Sequence, residues 1–116
     1  MEKPIIQTKS LFFAQQVYKL CKFLDLQKEY IISKQLIRCG TSIGANIYEA
    51  YFAESTNDYI HKLSISLKEI HETVFWLELL KLENLISSKE YLQLIDTIIE
   101  IRKILISIIK KLKLKK

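Results

Sequence analysis

The stretch Ile60-His61-Lys62-Leu63-Ser64-Ile65-Ser66-Leu67-Lys68-Glu69-Ile70-His71-Glu72-Thr73-Val74-Phe75-Trp76-Leu77 decides the fold. Ile60, Leu63, Leu67, Ile70, Val74 and Leu77 recur at steps of 3, 4, 3, 4 and 3. A helix with about 3.6 residues per turn brings such positions onto one side, whereas a strand would scatter them over both faces. The stripe predicts a long amphipathic helix with a bundle seam. Ser55-Thr56-Asn57-Asp58, dense in N-cap residues, marks its start, and it continues to about Leu82.

Working outward, Ser87 and Glu90 have capping-box spacing. They predict a further helix running to about Leu112, with Leu94, Ile98, Ile101, Leu105, Ile108 and Leu112 as its seam. On the N-terminal side, Ile32, Leu36, Cys39, Ile43, Ile47 and Ala50 predict a helix from about Glu29 to Tyr51. Phe13, Val17, Leu20 and Leu24 predict a first helix over Thr8 to Leu24. The connection Asp25-Leu26-Gln27-Lys28 has no glycine stop.

The 116 residues suit a single domain over 1–116, and only two glycines and one proline interrupt them. Four amphipathic helices with short connections imply an all-α, antiparallel, up-down-up-down four-helix bundle. Gly40 and Gly44 fall one helical turn apart inside the second helix. They mark either close approach by a neighbouring helix or subunit, or a tolerated weakness of about 1 kcal/mol each.

A helix of a monomeric bundle needs one apolar stripe and a polar back. The fourth helix carries a second apolar set, Leu92, Ile95, Ile99, Ile106 and Ile109. The third carries Ile65, Trp76, Leu79 and Leu80 away from its main stripe. Such a surplus predicts self-association. Acidic residues scattered along the helices argue against a membrane-surface role, and no apolar window is long enough for a membrane span. Cys21 and Cys39 lie within apolar helical patterns and are expected buried and reduced, consistent with a cytoplasmic protein.

The net charge is +5, and it is unevenly placed. Residues 99–116 hold Arg102, Lys103, Lys110, Lys111, Lys113, Lys115 and Lys116 against Glu100, or 7 − 1 = +6. The other 98 residues hold 11 basic and 12 acidic groups, a net of −1. Cations suit the negative end of a helix dipole, but five lysines in the last seven residues exceed that need. These seven basic residues are the expected nucleic-acid contacts, through phosphate and without sequence reading. The alternative is a protein-interaction scaffold kept soluble by its lysines.

Catalytic and metal-binding patterns are missing from the sequence. His71-Glu72 opens like a zinc-protease motif, but position 75 is Phe. His61 and His71 point about 80° apart on their helix and have no partner at ligand spacing. There is no phosphate loop and no nucleophile elbow. No enzyme activity, cofactor or metal is expected.

Arg38, Ser42, Asn46 and Glu49 fall in one row about a quarter-turn from the core stripe of the second helix. Polar groups so placed are half-solvated or hydrogen-bonded to one another and to a neighbour. Glu72, beside Trp76 on the third helix, calls for a cation, and Arg38 is the natural candidate.

The segment Gln35-Leu36-Ile37-Arg38-Cys39-Gly40-Thr41-Ser42-Ile43-Gly44-Ala45-Asn46-Ile47-Tyr48-Glu49-Ala50 resembles the second-helix signature of the four-helix-bundle family of 23S rRNA intervening-sequence proteins. Leu63-Ser64-Ile65-Ser66 and Glu72-Thr73 resemble that family's third helix. The chain departs from the pattern at Ala50, where glycine is usual, and at Lys68-Glu69, where small residues are common. The resemblance implies a homopentameric ring. It also implies kinship with the accessory variability proteins of diversity-generating retroelements, basic pentamers that bind nucleic acid and a reverse transcriptase. By the same resemblance Arg38, Ser42, Asn46, Glu49 and Glu72 are the family's characteristic polar positions, expected to hold helices two and three together.

Overall fold

A computed structural model describes residues 4–115. Its helices are α1 (Ile5–Leu26), α2 (Tyr30–Ala50), α3 (Thr56–Leu82) and α4 (Ser88–Leu114). Local chemistry sets half of these limits. Ser55 Oγ accepts the Asp58 N–H, and Ser87 Oγ accepts the Glu90 N–H, each at 3.0 Å, so a hydroxyl satisfies an orphan donor at the start of α3 and of α4. Helices α1 and α3 both close by a Schellman turn. In the first, Glu29 N–H reaches the Leu24 carbonyl at 2.9 Å. In the second, Leu85 N–H reaches the Leu80 carbonyl at 2.8 Å. The left-handed residues are Lys28 (φ 62°) and Asn84 (φ 58°), so the connection without glycine is made by a lysine in a conformation glycine would adopt more readily.

The helices pack in sequence order around a square, α1 on α2 on α3 on α4, with α4 closing back on α1 and the diagonal pairs apart. The α1–α2 and α2–α3 seams are tight, and α4 stands off on both sides. The bundle measures 47 × 26 × 21 Å. All four helices feed one apolar core, from Phe13, Val17 and Leu24 through Leu36 and Ile43 to Leu77, Ile98 and Leu105.

Gly40 and Gly44 both face α1. A Cβ on Gly40 would lie 2.9 Å from Val17 Cγ1, and one on Gly44 would lie 3.3 Å from the Ser10 carbonyl oxygen. Close approach therefore occurs, inside the subunit.

The apolar stripes differ from expectation in detail. On α3 the buried positions are Ile60, Leu63, Ser66, Ile70, Thr73, Leu77 and Leu80, whereas Leu67 and Val74 are half-buried at its margin. Leu80, assigned by spacing to a second face, belongs to the core. Ser66 and Thr73 sit inside because their hydroxyls can be satisfied by backbone. Ser66 donates to the Ile43 carbonyl of α2 and Thr73 to the Glu69 carbonyl, both at 2.8 Å. On α4 Ile109 is buried, while Ile108 and Leu112 are half-buried. A straight helix drifts about 20° per heptad against a strict seven-residue repeat, which moves the buried row one position along by the last turns.

The apolar surplus is real at Leu92 and Ile99, both exposed, whereas Ile95, Ile106, Ile65, Trp76 and Leu79 are half-buried. A larger surplus lies on the first two helices. Leu11, Tyr18 and Tyr30 are all more than half exposed. Between α1 and α2 runs a hollow of about 290 Å³ lined by Leu11, Ala14, Thr41, Gly44, Ala45 and Tyr48, without a single charge.

Candidate nucleic-acid interface

The basic end is the exposed C-terminal part of α4. Lys110, Lys111, Lys113 and Lys115 are exposed, as are Arg102 and Lys103, and among the described residues none of these six is in an ion pair. Lys116 lies outside the described residues. At 100° per residue the lysines point around more than half of the helix circumference, so the end is a cationic rod and not a one-sided stripe. Glu100, the sole acidic group of the segment, turns away from it and pairs with Lys9 of α1 at 2.5 Å. Among the described residues the positive charge of the last turns is thus left without an ion-pair partner.

The structure does not place all the basic residues together. Arg102 lies about two turns above the lysines, at the mouth of an apolar hollow between α3 and α4 with Ile70, His71, Val74, Ile98 and Ile99. Lys103 shares a side of the helix with Lys110, seven residues on.

The polar row of α2 meets α3 as a ladder. The Arg38 guanidinium is bound by Glu72, lies 3.5 Å from Glu69 Oε2 and donates to Gln35 Oε1 at 3.1 Å. Trp76 Nε1 donates to the same Glu72 oxygen at 3.2 Å, which holds that carboxylate in place for the arginine. Lys62 of α3 reaches Glu49 at 3.2 Å. Arg38 therefore pairs with Glu72, and Glu49 has its own partner. Ser42 and Asn46 do not cross between helices in these bonds: Asn46 Nδ2 donates to the Ser42 carbonyl and hydroxyl at 2.8 and 3.0 Å, within α2. Glu69 is the member that spacing did not single out, although it stands one turn before Glu72 and is the more buried carboxylate, 17% exposed against 37%.

The cysteines are free and buried. Burial pushes the Cys21 thiol up to about 11, opposed by its hydrogen bond with Ser33, and burial likewise raises Cys39. Neither is a nucleophile near neutral pH. Among the described residues no three His, Cys, Asp or Glu side chains gather where they could hold a metal, and no helix is long and apolar enough to cross a membrane.

Comparison with known proteins adds the lineage. No curated protein matches the chain. Among solved structures, a protein with unknown function from the S23 ribosomal protein family of Bacteroides thetaiotaomicron is similar at 51% identity and a TM-score of 0.88, over 90% of this chain and 98% of that one. The profile of the 23S rRNA-intervening sequence proteins matches residues 2–107, which takes in the whole polar ladder, Arg102 and Lys103 and stops short of the lysines from Lys110 onward. The chain belongs to the 23S rRNA-intervening sequence protein family.

Proposed function

We propose that this protein is a non-enzymatic, self-associating helical bundle that binds RNA or DNA without sequence preference through the basic end of α4. The observation that carries the reading is the exposed lysine cluster at 110–115, without an ion pair among the described residues, in a chain whose first 98 residues are close to neutral. Phosphate is the ligand such a rod fits, because each lysine is a point charge on a flexible stem with no ion-pair partner among the described residues. The ladder of Arg38, Glu69 and Glu72 is structural and fixes α2 on α3.

Self-association into a ring, with five subunits as the proposed number, multiplies the basic ends, and five copies at +5 would carry a formal +25. The charge-free hollow between α1 and α2 supports it, since an apolar face of this kind is stabilised by cover. The cellular role that fits is an accessory factor, cytoplasmic, presenting nucleic acid to a polymerase of the reverse-transcriptase class. The exposed apolar faces equally suit a scaffold for a protein partner that binds no nucleic acid.

Binding of labelled RNA and DNA at low salt, for the whole chain and for a variant with Lys110, Lys111, Lys113 and Lys115 changed to Gln, separates the two. The nucleic-acid reading requires affinity that falls with salt and is largely lost in the variant. Absent binding, or affinity unchanged by the four substitutions, leaves the scaffold.

A further inference from the structure

The loosest seam of the bundle is the one between α1 and α4, and it forms a groove with the makings of a nucleic-acid track. Three hollows of about 320, 340 and 520 Å³ follow one another along it. The first and second share Lys19 and Glu90, and the second and third share Phe23, Leu85, Ile86 and Ser87, so they are one continuous depression. It runs from Phe12 to the α3–α4 turn.

Two phenylalanines stand along it. Phe12 is 53% exposed and Phe23 is 47% exposed. Neither fills the core, and both lie on the groove side of α1. They are 23 − 12 = 11 residues apart, about three turns or 16 Å along the helix. Room for about four bases at a rise of about 3.4 Å lies between them. Lys19 lines the groove between the rings, with Glu90 on the facing α4 wall, and Lys81 lines its far end, where its ammonium lies 4.6 Å from the centroid of the Tyr91 ring. Gln15, Gln16 and Gln93 line the first hollow. Gln16 Oε1 is buried without a hydrogen-bond partner among the described residues.

Exposed aromatic rings spaced along a groove with one lysine between them and another at its end suit a single strand, whose bases are free to stack, and not a duplex, whose bases are already stacked. We infer that the α1–α4 groove binds single-stranded nucleic acid, with Phe12 and Phe23 as stacking platforms and Lys19 and Lys81 on the phosphates. The inference rests on the nucleic-acid reading above and names its substrate as single-stranded.

The test uses fluorescence anisotropy with a labelled 12-nucleotide oligo-U and a 12-base-pair duplex, on the full chain and on the Phe12→Ala/Phe23→Ala double variant. Because both rings are about half exposed, circular dichroism and sedimentation of the variant should match those of the parent. Single-strand affinity should fall about tenfold or more with duplex affinity unchanged, and Phe12→Tyr/Phe23→Tyr should restore it. An unchanged single-strand affinity, or an equal loss for duplex, overturns the groove. So does a change in sedimentation, which would assign the rings to a contact between subunits. Binding that is lost in the four-lysine variant but insensitive to the rings removes the groove and keeps the basic end. A parent that binds neither probe removes the basic-end reading itself.

Discussion

Lys28 adopts a left-handed backbone at the end of α1, where a side chain costs about 1–2 kcal/mol that glycine avoids. Lys28→Gly should therefore stabilise the bundle by about 1 kcal/mol, read as a higher urea midpoint at constant m-value. Gly40 is the opposite case. Alanine there would gain about 1 kcal/mol of helix propensity, but its methyl would press on Val17, which is fully buried. Overpacking of this kind costs about 1–3 kcal/mol, so Gly40→Ala should destabilise, and adding Val17→Ala should recover less than two independent losses would predict. Cys21 makes a pH-dependent contribution. Its unfolded thiol ionises near 9 and its folded one holds its proton to about 11, so the unfolded chain binds fewer protons in that window and stability falls as pH rises through it. Thermal midpoints from pH 8 to 11 should drop more steeply for the parent than for Cys21→Ala. Equal slopes would mean that the thiol is not shielded.

At the scale of elements, the α2–α3 ladder sets register more than stability. Arg38 is about half exposed, and solvent screens exposed pairs to about 1 kcal/mol or less. A double-mutant cycle on Arg38→Ala and Glu72→Ala should give a coupling of about 0.5–1 kcal/mol, and a value of several kcal/mol would require a much drier site. The heptad stripes of α3 and α4 and the serine caps of both were legible because each is a local pattern. Less legible was which position of each turn is innermost. Ser66, Thr73 and Leu80 are core residues because α2 and α4 together set the angle at which α3 is viewed, and spacing within α3 carries no information about its neighbours. Glu69 escaped notice for the same reason: it meets Arg38 only once α2 lies across α3.

For the molecule as a whole, charge and apolar surface occupy different places. The lysines of α4 crowd one end, and the charge-free α1–α2 hollow lies along a side. Sedimentation at micromolar concentration should find an assembly larger than one chain, and Leu11→Glu, placed in that hollow, should shift it toward single subunits while leaving helicity intact. Nucleic-acid affinity should decline with salt with a log–log slope reduced by about 0.7 for each lysine removed that contacts a phosphate of a single strand.

By itself the sequence determined four helices, their order, the serine caps of α3 and α4, the family signature on α2 and the location of the surplus charge, because these depend on neighbours within a few turns along the chain. Tertiary structure decided that Gly40 and Gly44 face α1, that Arg38 takes Glu69 as well as Glu72, and that α4 stands away from α1 to leave a groove. Those outcomes depend on the distances and rotations between helices, which are set by how all the side chains of the core fit at once.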